Sequence, residues 1–156
     1  PDLAVLGLKV PAQLNELNPV DHSVTPLRVD AAKRYAVLVP RTDSDGNDVA
    51  GVRAPDVAAP LATHTGFNMR KAGFAEGQLC GLNGSYLPFS NDAQERAAKR
   101  DPRPSLAERY GTQAAYVQRV RASAEQLRSE GLMLDEDVAR SLELAAKDPA
   151  VQSLAK

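Results

Sequence analysis

The chain has 156 residues, enough for one ordinary domain, and its 43% hydrophobic and 25% charged residues strike a globular balance. A formal net charge of −1 excludes a global field directed at nucleic acid or at an anionic membrane. Aromatic residues are 4% with no tryptophan, so the core must rest on Leu, Val and Ala. A single cysteine, Cys80, rules out an internal disulfide and leaves the compartment open. No apolar run approaches the length of a membrane span, and no signal-peptide pattern appears in the opening residues, which start at Pro1.

Three textures follow one another, with boundaries at 1–34, 35–90 and 91–156. In the first, Pro1, Pro11, Pro19 and Pro26 interrupt the chain every few residues. "LAVLGLKV" fits a short strand, no long element fits between the prolines, and the stretch reads as a segment draped over another body. The second texture predicts a strand at 35–39, a hairpin partner at 49–53 and an extended piece at 57–65. Gly66, Gly73, Gly77, Gly81 and Gly84 then punctuate a long glycine-rich loop region, a type of segment that often carries function.

Between the two hairpin strands lies "PRTDSDGNDVAGVR". With Gly46 at position 6 of a calcium loop, Asp43 and Asp45 occupy positions 3 and 5. Arg41 and Val52 then stand at positions 1 and 12, where oxygen ligands are required. A hairpin turn needs only Asp45-Gly46, so the segment reads as a turn over 43–48 without metal.

The third texture is helical. Asn91 is placed to cap a first helix with Asp92 in its first turn, and Ser105 and Glu108 have capping-box spacing. Thr112 caps the longest helix, where Val117, Val120, Ala124 and Leu127 form one apolar stripe. Gly131 ends it as a left-handed C-cap. Asp135 starts the next helix, with Val138, Leu142 and Ala145 on one face, and Asp148-Pro149 starts a final short one. The fold class expected is α+β: short strands with a β-hairpin and a glycine-rich loop, then a helical C-terminal half, within a larger assembly.

No catalytic constellation emerges from spacing. Ser85 in "CGLNGSYLPF" follows two glycines, but the order is not the G-x-S-x-G of a nucleophile elbow, so it reads as a turn serine. Cys80 and His64 would make a thiolate–imidazole pair only if the fold joined them, and Cys80 reads as a small buried hydrophobe. His22 and His64 are too few for a zinc site. "GFAEG" lacks the spacing and lysine of a phosphate loop, and the arginines of "YVQRVRASAEQLR" read as a solvated helix face. The residues thus give no catalytic group, no metal and no cofactor.

Three stretches in order resemble a known family. "YAVLVPRTDSDGNDVAGVRAPDVAAPLATHTGFNMR" resembles the late part of a large, mostly bacterial group of alpha/beta hydrolase domain proteins. "GQLCGLNGSYLPF" and then "DPRPSLAERYGTQAAYVQRVRASAEQL" resemble the end of the same chains. Family members usually carry an aromatic where His64 stands and a tryptophan where Phe67 stands. The resemblance implies that the nucleophile and its acid and histidine partners lie upstream. The chain would then be a C-terminal part that completes the fold and lines the cleft of a serine esterase or amidase. The implied partners are that upstream catalytic region, of the same or a companion polypeptide, and a small ester or amide. His64 and Asn68, in "THTGFNMR", are the expected substrate-lining residues. A non-enzymatic interaction module is the competing reading, and an autonomous metal-binding domain a third.

Overall fold

The computed structural model describes residues 2–8, 18–35 and 38–155. The elements before residue 55 are short. A 3-10 turn at Ala4–Leu6 stands where the first strand was expected, closed by Gly7 in the left-handed region; Lys9 and Val10 of that expected strand lie outside the described residues. β1 (Val20–Asp21) and β2 (Arg28–Val29) pair antiparallel through two positions.

The hairpin expected on either side of Gly46 contracts to one bridge, Thr42↔Asp48. Ala36 and Val37 of its first strand lie outside the described residues, and Tyr35, Leu38 and Val39 carry no strand pairing. The second strand, 49–53, is a bend, because Gly51 at φ +81° turns the chain out of the extended region. The turn itself is present. Gly46 takes φ +84°, and its N–H donates to the Asp43 carbonyl at 3.1 Å. A Cβ at this glycine would lie 3.0 Å from Leu3 and 3.1 Å from Thr63.

The expected extended piece at 57–65 divides. Its first half is a helical turn, α1 (Pro55–Ala58), because Pro55 at the first position has its φ already set for a helix. Its second half is β3 (Ala62–Thr65), paired antiparallel with β4 (Ser85–Pro88) in the register Thr63↔Leu87 and His64↔Tyr86. Residues 66–84 join the two strands through turns and one bridge, Met69↔Leu79. Gly84 has no room for a side chain, since a Cβ there would lie 1.9 Å from the Thr65 carbonyl oxygen.

The helical half follows its capping signals closely. α2 (Ala93–Lys99) is capped by Asp92, one residue after Asn91, through the Glu95 N–H. α3 (Leu106–Tyr110) has the full Ser105/Glu108 capping box. α4 (Gln113–Ser129) starts at Thr112. It ends in a Schellman arrangement: the Gly131 N–H donates to Arg128 at 3.0 Å and the Leu132 N–H to Leu127 at 2.8 Å. α5 (Asp135–Lys147) and α6 (Pro149–Gln152) follow, the latter capped by Asp148.

The buried stripe of α4 is Tyr116, Val120 and Ala124, while Val117 and Leu127 of the expected stripe are half-buried. It packs with Ala59, Ala145 and Val151 into one cluster. Phe89, Leu106 and Leu154 form a second, and Leu61 and Tyr110 border both.

Candidate binding cleft

The two faces of the β3–β4 ribbon serve different purposes. Thr63 points into a polar clasp. Its hydroxyl donates to the Asp45 carbonyl and accepts from Arg103 at 2.8 Å. Arg103 is 1% exposed. It holds Asp101 through two hydrogen bonds of 2.9 and 2.7 Å and reaches the Leu87 and Pro88 carbonyls at 2.9 and 3.1 Å. Its guanidinium also lies over the Phe89 ring, 4.8 Å from the centroid.

The acidic loop is absorbed by the same clasp. Asp45 pairs with Arg109 through contacts of 2.8 and 2.5 Å, and Asp43 with Arg53 at 2.7 Å. Asp43 also accepts from the Asp45 and Asn47 backbone N–H groups. Asn47, fully buried, donates to the Ala62 carbonyl and accepts from the His64 N–H. Two of the carboxylates thus neutralise arginines, and no group of three or more metal-ligating side chains occurs among the described residues.

The other face of the ribbon carries His64 and Tyr86. Their rings meet edge to face, with centroids 5.3 Å apart. They form one wall of a cavity of 630 Å³ bounded by α1, α4 and α5, within the range of small-molecule sites. Its apolar lining includes Leu61, Leu127, Leu132, Met133 and Leu144; Asp56, Asp137, Arg140, Ser141 and Asp148 supply its polar groups. Tyr116 stands behind them, 4% exposed, against Tyr110 at 5.0 Å between centroids.

Burial dominates the electrostatics of these phenols. It raises Tyr86 and Tyr116 above the ordinary tyrosine value, and the charge of Asp148 adds to both. Burial likewise pushes Tyr110 up to about 12; its hydroxyl donates to the Pro60 carbonyl at 2.7 Å.

The two expected lining residues do not share a cavity. Asn68 lines a smaller one of 230 Å³ with Leu6, Met69, Arg70 and Ser85. Ser85 donates to the Phe67 carbonyl at 3.0 Å, so it fastens the loop. Cys80 is half-buried on the 66–84 segment, His22 is exposed, and neither comes together with His64 in a catalytic pair. Arg119 and Arg121 are exposed on α4, and Arg128 pairs with Glu125 and Asp135, the solvated face the sequence implied. Tyr116 and Asp56 were not singled out from the sequence, and Asp148 was expected only as the start of a helix. Only the i, i+4, i+8 spacing of Tyr116, Val120 and Ala124 pointed toward the buried face that Tyr116 shares.

These features define a mixed α+β body with a preformed cleft and no nucleophile elbow in its sequence. The family model described as alpha/beta hydrolase domain matches residues 13–143, and the chain belongs to that family. No curated protein and no solved structure matches it. No helix among the described residues is long and apolar enough to cross a membrane.

Proposed function

We propose that this chain completes the fold of an α/β-hydrolase-type protein and forms one wall of the substrate cleft of a serine esterase or amidase. The nucleophile would come from a catalytic region of the same or a companion polypeptide. The observation that carries this reading is the 630 Å³ cavity, walled by His64 and Tyr86 and largely apolar, as a site for an acyl or alcohol group must be. Membership of the family supports the hydrolase frame. In this reading His64 meets the part of the ester or amide seated in the larger cavity, and Asn68 meets a different part through the smaller one.

The test is kinetic and uses the enzyme with its catalytic region present. A lining role predicts that His64→Ala changes the ratios of kcat/KM between esters of different acyl groups, with the melting temperature nearly constant. Constant ratios with a melting temperature lowered by several degrees would overturn it.

One observation favours a protein-interaction module instead. Phe74 and Leu82 are 87% and fully exposed on the 66–84 segment, an apolar pair that water does not favour. On that reading Phe74→Ser and Leu82→Ser abolish association with a partner protein and leave hydrolysis by the assembled enzyme unchanged.

A further inference from the structure

The larger cavity has an unbalanced charge. Of its three carboxylates, Asp137 faces Arg140 at 3.6 Å, which leaves Asp56 and Asp148 without a cationic partner among the described residues. Asp148 accepts one side-chain hydrogen bond, from the Ala150 N–H at 2.8 Å. An independent observation comes from the same cavity. Tyr116 is 4% exposed and lines the cavity, yet its hydroxyl makes no hydrogen bond with any described residue. The ring is buried, while the hydroxyl itself keeps contact with the open space of the cavity. The Tyr86 ring stands on the neighbouring wall, so two aromatic rings, two carboxylates and one unpaired hydroxyl converge on the same space.

Resting on the cleft reading above, we propose that this cavity receives a cationic organic group, an alkylammonium or quaternary ammonium head, carried by the substrate. Aromatic rings attract such a cation through their faces, and carboxylates nearby add a charge that a neutral group cannot use. The electrostatics point the same way: besides burial, the charge of Asp148 bears on both Tyr86 and Tyr116, and that of Asp56 on Tyr116, so both carboxylates act within this space. An anionic substrate would meet the unpaired acids and be repelled.

The test compares choline with its neutral isostere, 3,3-dimethylbutan-1-ol, on the 156-residue chain at low salt, following the Tyr86 and Tyr116 ring resonances. Choline is expected to bind about tenfold more tightly than the isostere and to lose that margin as salt rises. Asp148→Asn keeps the helix cap, since asparagine caps as well as aspartate, and removes only the charge. It should weaken choline several-fold and leave the isostere unchanged. Asp56→Asn, at an exposed position, serves as the second variant should Asp148→Asn lower the melting temperature. Equal affinity for the two probes, or no shift of either ring, overturns the cationic assignment and leaves the cleft to its own kinetic test. A preference for choline together with unchanged substrate ratios in the His64→Ala enzyme would keep the cationic site and overturn the cleft reading instead.

Discussion

Replacing Arg103 by methionine keeps most of the side chain's length and removes every side-chain donor. The wild-type guanidinium donates five hydrogen bonds, two to Asp101 and three to Thr63, Leu87 and Pro88. In the variant, Asp101 would remain 6% exposed with only the backbone N–H of residue 103 as a donor. Removing one partner of a buried ion pair costs about 3–5 kcal/mol, because the remaining charge stays out of water without compensation. The orphaned carbonyls add to this, so Arg103→Met is expected near the upper end of that range. Adding Asp101→Asn removes the stranded charge and should recover about 2 kcal/mol. Urea unfolding followed by circular dichroism measures each term. The pH dependence supplies a second readout. Burial by itself would raise the Asp101 carboxyl, but the hydrogen bonds and charge of Arg103 outweigh it and hold the group below its ordinary value. Its contribution is therefore complete above the unfolded value of about 4 and is lost as the pH falls through the lower folded value. Below pH 4 the difference in stability between wild type and Asp101→Asn should shrink. A loss under 1 kcal/mol for Arg103→Met, or a difference that stays constant with pH, would refute this account of the clasp.

Leu106→Ala, at a position 1% exposed, should cost about 3 kcal/mol in urea unfolding, whereas Leu127→Ala, half-buried on the cavity wall, should cost less; equal losses would place Leu127 in the core. Gly84→Ala forces a Cβ against the Thr65 carbonyl and should lower the melting temperature by several degrees; an unchanged value would show that β3 and β4 can part at this point. Calcium added to the chain should give no heat beyond dilution, because Asp43 and Asp45 already pair with Arg53 and Arg109; micromolar binding lost in Asp45→Ala would contradict this. Tyrosine ultraviolet titration should show Tyr110 ionising only near pH 12. Because its folded value lies above the ordinary 10, the stability it contributes is complete below pH 10 and lost as the pH rises toward 12; a Tyr110→Phe variant equally sensitive to base would sink that linkage.

What the sequence revealed was what short-range rules govern. The Ser105 box, the Thr112 cap, the Gly131 terminus and the Asp148-Pro149 start each depend on residues within one helical turn, and each is found where it was expected. The hairpin was less legible. Its turn is local and is present, but its strands depend on what the flanks dock against. Asn47 anchors the loop to β3 across a separation of 15 residues, and Gly51 then turns the chain away. Arg103 in "DPRP" has the look of a loop residue, and nothing near it announces Thr63, 40 positions earlier. The cleft was hidden for the same reason: α1, the β3–β4 ribbon, α4 and α5 create it only when they pack.

One of the stretches that carry the family resemblance is structural. In "DPRPSLAERYG", Asp101 and Arg103 form the buried pair, Ser105 and Glu108 cap α3, Arg109 neutralises Asp45, and Tyr110 holds the Pro60 carbonyl. Each such side chain is committed to another part of this chain. None is left to act on a substrate, so this motif establishes how the segment folds and says little about what it would bind. The wall of the cleft has the opposite character. The His64 ring touches Tyr86 and makes no hydrogen bond to any described residue, while its backbone N–H is fixed by Asn47. A side chain with a fixed backbone and an uncommitted ring can be exchanged without unlocking the clasp behind it. Thr63, its neighbour on the opposite face, cannot, since its hydroxyl both donates to Asp45 and accepts from Arg103. One strand thus separates a face committed to the fold from a face that lines the cavity. On the proposed cleft reading, substitutions at 64 and 86 should alter substrate preference, while those at 63 and 103 should alter stability.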